Sequence, residues 1–110
     1  MSAYMVMFVT ATDRLDWIPD YLAHVPALAR RCGAEFLGIS KSVPNAVECV
    51  EGSAAAPDGI VVCRFPSMGD VKRFLESPDY APYRAARIAA TESNFFAFEN
   101  DPDAPQFRGT

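Results

Sequence analysis

Apolar and polar positions alternate along the chain in a way that predicts short strands and amphipathic helices. Residues 60–65 are β-branched and apolar, which is the composition of a buried strand. The strand ends at Pro66, which has no N–H to donate to a sheet, and Ser67 follows as a helix N-cap with Asp70 three residues on. Apolar residues at helical spacing then continue towards Ser77. This stretch predicts a strand, a tight corner and a helix.

The remaining chain completes an α+β pattern. The apolar run over 4–10 predicts a strand buried on both faces, and the stripe from Ile18 to Cys32 predicts a helix that packs on a sheet and stops at Gly33. The other predicted elements are strands over 35–41, 46–51 and 94–99 and a helix over 82–91. The order β-α-β-β-β-α-α-β is the ferredoxin-like split βαβ plan with one extra strand and an antiparallel sheet.

The first strand also predicts a homodimer. Helices cover one face of such a sheet and leave the other face bare, yet residues 4–10 are apolar on both faces. Half of the residues are hydrophobic, and an oligomer interface is one outlet for surplus apolar surface. We therefore expect the bare face to pack on the same sheet of a second copy.

Composition and charge narrow the classes of function. The 110 residues are expected to form one domain over 1–99, with residues 100–110 as a mobile tail. A formal net charge of −4 and the absence of a basic run argue against nucleic acid and anionic membranes. Three cysteines without a C-x-x-C pair predict reduced thiols in a cytoplasmic protein and no metal site. No cofactor-binding motif is present, so we expect any chemistry to use side chains alone.

Several short motifs resemble those of a known family when they are taken in order. They are Ala3-Tyr4, Gly33 to Leu37, Val47 to Gly52, Phe65-Pro66-Ser67, Ser77-Pro78-Asp79-Tyr80, and Arg87. The chain is similar to a bacterial domain-of-unknown-function family of short dimeric α+β barrel proteins. The resemblance implies a ferredoxin-like homodimer, within a superfamily of cofactor-free monooxygenases, polyketide cyclases and lactone isomerases. The chain departs from the family pattern at residues 39–41 and at Arg64, which predicts an altered pocket.

The single histidine is the first candidate for chemistry. His24 lies beside Trp17 and Tyr21 at the margin of the apolar stripe of the first helix, and an imidazole in a cleft is the usual general base near pH 7. The alternative is a boundary histidine with its polar tip in water.

The last helix supplies the second candidate. Tyr80, Arg84 and Arg87 fall on one helical face, where two guanidinium groups beside a phenol can hold a carboxylate, an enolate or a phenolate. The alternative is a structural salt bridge, for example to Glu48 or Glu51.

These residues lead to two hypotheses from different classes. The first is a cofactor-independent enzyme that acts by proton transfer on a small, mostly apolar, aromatic or polyketide-like molecule, in an isomerisation, a cyclisation or an oxygenation. His24 would move the proton, while Arg87 and Tyr80 would stabilise an oxyanion. The expected substrate-binding residues are Tyr4, Trp17, Tyr21, Phe65 and Arg84, although an aromatic residue at the position of Tyr4 belongs to the core or the dimer seam more often than to a pocket wall. The second hypothesis is a non-catalytic dimeric module that binds a small ligand or another protein.

Overall fold

The computed structural model describes residues 1–12 and 14–104 of the chain. Seven elements follow one another in this part: β1 (Ala3–Ala11), α1 (Ile18–Arg31), β2 (Glu35–Ile39), β3 (Gly59–Phe65), α2 (Met68–Leu75), α3 (Ala81–Ala90) and β4 (Thr91–Glu99). None of these helices is long and apolar enough to cross a membrane. The predicted tail falls mostly on residues 105–110, which lie outside the described residues.

The four strands form one antiparallel sheet in the order β2-β3-β1-β4. The two inner strands are β1 and β3, and β1 contains the longest apolar run in the sequence. A strand with neighbours on both sides hides its backbone polar groups, so apolar side chains are favoured along it. The predicted ferredoxin-like α+β fold with an antiparallel sheet is confirmed.

The predicted extra strand over residues 46–51 is wrong. This segment belongs to the connection between β2 and β3 and forms no strand. Asn45, with φ 61°, and Gly52, with φ 103°, bracket the segment in the left-handed region. The Cys49 thiol donates locally to the Glu51 carbonyl at 3.3 Å. The alternating pattern predicted a strand, but the segment pairs with none of the four strands of the sheet, so its side chains stay mostly exposed.

The hydrophobic core lies between the sheet and the helices. Ala3, Met5 and Met7 alternate as buried residues along β1, and register pairs Met5 with Cys63. The helical side of this core is supplied by Val25, Ala29, Val71, Phe74 and Tyr80. The period of two along β1 thus assigns its odd-numbered residues to the helix-covered face.

The even-numbered residues of β1 face the other way, onto a sheet surface that the helices leave bare. Tyr4 pairs with Phe98 in register and its ring stacks on that of Phe98 at 5.7 Å. Phe8 meets Phe96 edge to face at 6.0 Å. Phe96 and Phe98 nevertheless stay 61% and 52% exposed. We call this surface the bare sheet face, and a single chain leaves its aromatic residues in water.

The corner after β3 is fixed by two local devices. Ser67 caps α2 as predicted, since its hydroxyl accepts from the Asp70 amide at 3.1 Å and donates to the Asp70 carboxylate at 2.9 Å. Pro66 packs against Gly33, which follows the end of α1 and has φ +88°. A Cβ on Gly33 would lie 2.6 Å from the Pro66 ring. Only glycine therefore suits this position without strain.

Candidate functional site

Helices α1 and α3 flank an aromatic groove of about 290 Å³, which we call the α1–α3 groove. Its walls include Trp17 and Tyr21, whose rings meet edge to face at 5.2 Å. The indole N–H of Trp17 donates to the Arg14 carbonyl at 3.1 Å, which fixes the ring. The full lining is Asp16, Trp17, Asp20, Tyr21, Pro82, Tyr83 and Ala86. The groove therefore combines aromatic walls with two carboxylates.

A chain of hydrogen bonds runs from this groove into the core. The hydroxyl oxygens of Tyr21 and Tyr80 lie 2.7 Å apart, and Arg87 Nε donates to the Tyr80 oxygen at 3.4 Å. A guanidinium can only donate, so Tyr80 accepts from Arg87. Tyr80 is fully buried, and among the described residues the Tyr21 oxygen is the acceptor that its hydroxyl can reach. Tyr80 therefore donates its proton to Tyr21. The hydrogen bonds thus run from the Arg87 guanidinium through the neutral Tyr80 hydroxyl to Tyr21.

Arg87 is held rigidly at the inner end of that chain. Its side chain is buried, with 5% of the residue exposed, and it lies 4.1 Å from the centre of the Phe95 ring. Its Nη1 donates to Ser93 Oγ. Thr91 secures the arrangement, because its hydroxyl donates to the Arg87 carbonyl at 2.7 Å and lies 3.2 Å from Ser93 Oγ. These neutral partners fix the direction of the guanidinium.

The alternative prediction of a salt bridge at Arg87 does not hold in the described part of the chain. The ion pairs there are Arg14–Asp16, His24–Asp20, Arg64–Glu35 and Arg73–Asp70. Arg87 thus carries a buried charge whose partners there are two hydroxyls and an aromatic ring.

Burial shifts the acid–base behaviour of Tyr21. Desolvation is the main cause that raises the pKa of Tyr21 well above its ordinary value, with the Tyr80 hydroxyl adding to it and Arg87 acting in the opposite direction. Tyr21 therefore keeps its proton at physiological pH. Its chemical role is that of a hydrogen-bond donor or an acid rather than a base.

A second, larger groove lies between α3 and β4, and we call it the α3–β4 groove. It has a volume of about 590 Å³ and is lined by Leu75, Arg84, Arg87, Ile88, Thr91, Glu92, Ser93, Asn94 and Phe95. Arg87 thus takes part both in the hydrogen-bond chain and in the wall of this groove.

His24 lies apart from the buried chain. Its side chain is 54% exposed, and its Nδ1 lies 2.9 Å from the Asp20 carbonyl oxygen and 3.1 Å from the Asp20 carboxylate. Its ring stacks on that of Tyr83 at 5.4 Å. Because Asp20 and Tyr83 both line the α1–α3 groove, His24 borders that groove, and it is not part of the wall that contains Arg87.

The other predicted substrate-binding residues lie in different places. Trp17 and Tyr21 line the α1–α3 groove, whereas Arg84 lines the α3–β4 groove. Tyr4 lies on the bare sheet face against Phe98. Phe65 lies in the core, 1% exposed, with its ring 6.1 Å from that of Phe74. The structure does not bring Tyr4 or Phe65 to either groove.

Three residues of the site were not singled out by the sequence analysis. Asp20 precedes His24 by four residues, and this helical spacing could have revealed their contact. Tyr83 follows Tyr80 by one helical turn, but nothing in its position indicates that it stacks on His24. Ser93 reaches Arg87 across the junction of α3 and β4, which no sequence period describes.

The fold and the grooves define a small ferredoxin-like α+β protein with its polar chemistry on the helix side of the sheet. Residues 2–101 match the family described as Domain of unknown function (DUF1330). The chain belongs to that family. A comparison with curated proteins finds no significant match.

Solved structures share the fold at low sequence identity. A dimeric ferredoxin-like protein of unknown function from Jannaschia sp. CCS1 is 14% identical, with a TM-score of 0.66, over 91% of this chain and all of its own. SnoaB, a cofactor-independent oxygenase from Streptomyces nogalater, is 14% identical, with a TM-score of 0.60, over 94% and 97% of the two chains. A hydroxynitrile lyase from Passiflora edulis is 16% identical, with a TM-score of 0.59, over 91% and 95%. At these identities the likeness concerns the fold alone.

Proposed function

We propose that this protein is a cofactor-independent enzyme that acts by proton transfer on a small, mostly apolar or aromatic carbonyl compound. The α1–α3 groove is its active site in this proposal. The observation that carries it is the hydrogen-bond chain from Arg87 through Tyr80 to Tyr21, which ends in an aromatic groove. The fold is also that of SnoaB and of the hydroxynitrile lyase, so it supports small-molecule catalysis elsewhere.

Tyr21 acts as the donor to the substrate carbonyl oxygen. Negative charge grows on that oxygen as an enolate forms, and a fixed donor at a site of low dielectric stabilises it more than water does. The positive charge of Arg87 polarises the chain through Tyr80, so the Tyr21 hydroxyl donates more strongly as the enolate develops. The rigid contacts of Arg87 keep this chain oriented before the substrate arrives.

The pair of Asp20 and His24 acts as the proton acceptor. Asp20 lines the groove and its carboxylate takes the proton from the carbon next to the carbonyl, leaving the electron pair in the enolate. His24, 3.1 Å from that carboxylate, shares the proton. In a substrate with a β,γ-double bond the electron pair spreads over a dienolate, and return of the proton to the γ-carbon isomerises the substrate and regenerates both groups. In a simple ketone the proton returns to the same carbon, and the reaction is seen as exchange with solvent.

A non-catalytic ligand-binding module is the second candidate function. It is favoured by the exposure of the acceptor pair, since 54% of the His24 side chain and 70% of the Asp20 side chain are in contact with solvent. Such a pair transfers protons to water as readily as to a bound molecule. In this case the aromatic groove holds a ligand and changes nothing in it.

The working form in this proposal is a homodimer in the cytoplasm. The bare sheet face presents Phe96 and Phe98 to solvent, and the protein from Jannaschia is described as dimeric. Three free cysteines suit a reducing compartment. Pairing through the bare sheet face leaves the α1–α3 groove accessible, because its lining residues lie on α1 and α3 or just before α1, on the helix side of the sheet.

The experiment follows binding and proton transfer separately. Trp17 is the sole tryptophan of the chain and lines the groove, so its fluorescence reports a ligand there. Phenylacetone and 2-tetralone are titrated, and exchange of their activated protons in D₂O is followed by NMR. Catalysis predicts exchange that Tyr21→Phe abolishes while quenching of Trp17 persists. Quenching without exchange favours the second candidate.

Tyr4→Phe is the matched control, because it removes a phenol hydroxyl from the bare sheet face. It is expected to leave both signals unchanged. Equal loss of exchange in Tyr4→Phe and Tyr21→Phe would contradict the assignment of the groove.

A further inference from the structure

We infer that the α3–β4 groove is a separate binding site for a monocarboxylate with an apolar body. It lies on a different part of α3 from the proposed active site: Arg84, Arg87 and Ile88 line it, whereas Pro82 and Tyr83 line the α1–α3 groove. No residue lines both grooves, so a ligand in either groove can be followed through the signals of that groove's own lining residues.

The first argument is the uncompensated charge of Arg87. Buried charges are normally paired, because removal from water costs free energy that neutral partners repay only in part. Arg87 is 5% exposed, and its partners in the described part of the chain are Tyr80, Ser93 and the Phe95 ring. Its guanidinium borders an open groove. An anion in that groove would supply the missing counter-charge.

The second argument concerns the other polar side chains that line the α3–β4 groove. Arg84 lines the same groove and forms no ion pair within the described residues. Asn94 also borders the groove, and its register opposite Phe8 places it on the bare sheet face. Two guanidinium groups suit a carboxylate, whose two oxygens accept several charge-assisted hydrogen bonds at once.

The third argument restricts the anion. Leu75, Ile88 and Phe95 supply apolar wall, and about 590 Å³ is within the usual range for small-molecule sites. An inorganic anion would leave this apolar surface in water, whereas an aryl or alkyl body would cover it. Glu92 also lines the groove, and its carboxylate disfavours a second negative charge on the ligand. The ligand class is therefore a singly charged carboxylate with an apolar body.

The test compares phenylacetate, phenylacetamide and inorganic phosphate at constant ionic strength, followed through the backbone amide NMR signals of residues 84–95. Phenylacetate is expected to shift these signals saturably, while its neutral amide and phosphate bind at least tenfold more weakly. Equal binding of phenylacetamide would overturn the role of the charge. Equal binding of phosphate would overturn the role of the apolar body.

Three exposed variants complete the test without disturbing the core. Arg84→Gln is expected to weaken phenylacetate binding by about tenfold, the loss of one charge-assisted hydrogen bond. Glu92→Gln is expected to strengthen it severalfold. Lys72→Gln removes one positive charge from α2 outside the groove and is expected to change nothing. If Arg84→Gln and Lys72→Gln weaken phenylacetate binding equally, the loss reflects the net charge of the protein, and the site is refuted.

One further variant separates this inference from the proposed function. Tyr21→Phe is expected to leave phenylacetate binding intact even though it abolishes proton exchange in the other groove. Loss of phenylacetate binding in Tyr21→Phe would show that the ligand occupies the α1–α3 groove and would refute a separate site.

Discussion

The hydroxyl groups of Tyr21 and Tyr80 meet at 2.7 Å although the two residues are 59 positions apart in the chain. The contact joins the first turn of α1 to the residue that precedes α3, and the two rings meet at an angle of 66° with centroids 6.1 Å apart. Tyr80 in turn stacks on Phe74 of α2 at 4.5 Å. One buried phenol thus ties together all three helices and connects the aromatic groove to Arg87.

Removal of either hydroxyl of this pair is expected to cost stability. In Tyr80→Phe, Arg87 Nε loses its acceptor; in Tyr21→Phe, the buried Tyr80 proton loses its acceptor. Each change should lower the free energy of unfolding by roughly 1–3 kcal/mol, the usual cost of a buried polar group without a partner. Urea denaturation of both single variants and the double variant measures this.

The double variant decides whether the two hydroxyls act together. Its loss should be smaller than the sum of the single losses, because residues in one hydrogen-bond network are coupled. Strictly additive losses of unfolding free energy would contradict a coupled hydrogen-bond chain through Tyr21 and Tyr80.

Ser93→Ala is expected to loosen Arg87. The substitution leaves Nη1 of a buried guanidinium without its hydroxyl partner, so we expect a loss of about 1–3 kcal/mol in unfolding free energy. Ser93→Thr keeps the hydroxyl and should recover most of it. Ser53→Ala, at an exposed loop position, serves as the control and should stay within about 0.5 kcal/mol of the parent.

Structural features that depend on neighbouring residues were predicted from the sequence better than contacts between segments that are distant in the chain. Residues 60–77 were predicted well because the strand, the proline corner and the Ser67 cap are local features. The strand predicted over 46–51 was wrong, because an alternating pattern does not reveal whether a partner strand is available.

The candidate site was only partly predictable for the same reason. Helical spacing grouped Tyr80 with Arg87, but the contact of Tyr80 with Tyr21 depends on how α1 and α3 pack. His24 was expected to act together with Tyr80 and Arg87, but its ring stacks on that of Tyr83, a contact between α1 and α3 that the spacing of residues within α1 does not reveal.

Gly33→Ala is expected to destabilise the corner between α1 and β2. The residue has φ +88°, and a Cβ would lie 2.6 Å from the Pro66 ring, so conformational strain and a steric clash add together. A loss of at least about 2 kcal/mol follows from the strain of a left-handed residue and local overpacking. Gly38→Ala is the matched control, because nothing lies within 4 Å of its Cβ position. Similar thermal unfolding of the two variants would contradict this account.

Cys63 is expected to make stability fall at alkaline pH. Burial raises the pKa of the Cys63 thiol from 9.0 to about 11, so the folded protein keeps this proton after the unfolded chain has lost it. The contribution is fully present below about pH 9 and is lost as the pH rises towards 11. Around pH 9 the unfolded Cys63 thiol ionises ahead of the unfolded Tyr21 phenol, whose ordinary pKa is 10.0, so Cys63→Ala should flatten the fall of unfolding free energy with pH there. An unchanged slope would show that other groups govern this range.

Phe96→Glu is expected to dissociate the proposed homodimer. Both Phe96 and Phe98 are more than half exposed on the bare sheet face, and Phe96 packs edge to face on Phe8. A stable dimer buries about 1,600 Å² of surface. A carboxylate placed in such an apolar interface would lose its water and gain no charged partner, which disfavours association. Light scattering at micromolar concentration should give a dimer for the parent and a monomer for the variant. Ile88→Glu makes the same chemical change at an exposed position on the helix side, so it should remain dimeric. If Ile88→Glu dissociates the protein and Phe96→Glu does not, the two copies meet through their helices, and the bare sheet face is not the interface.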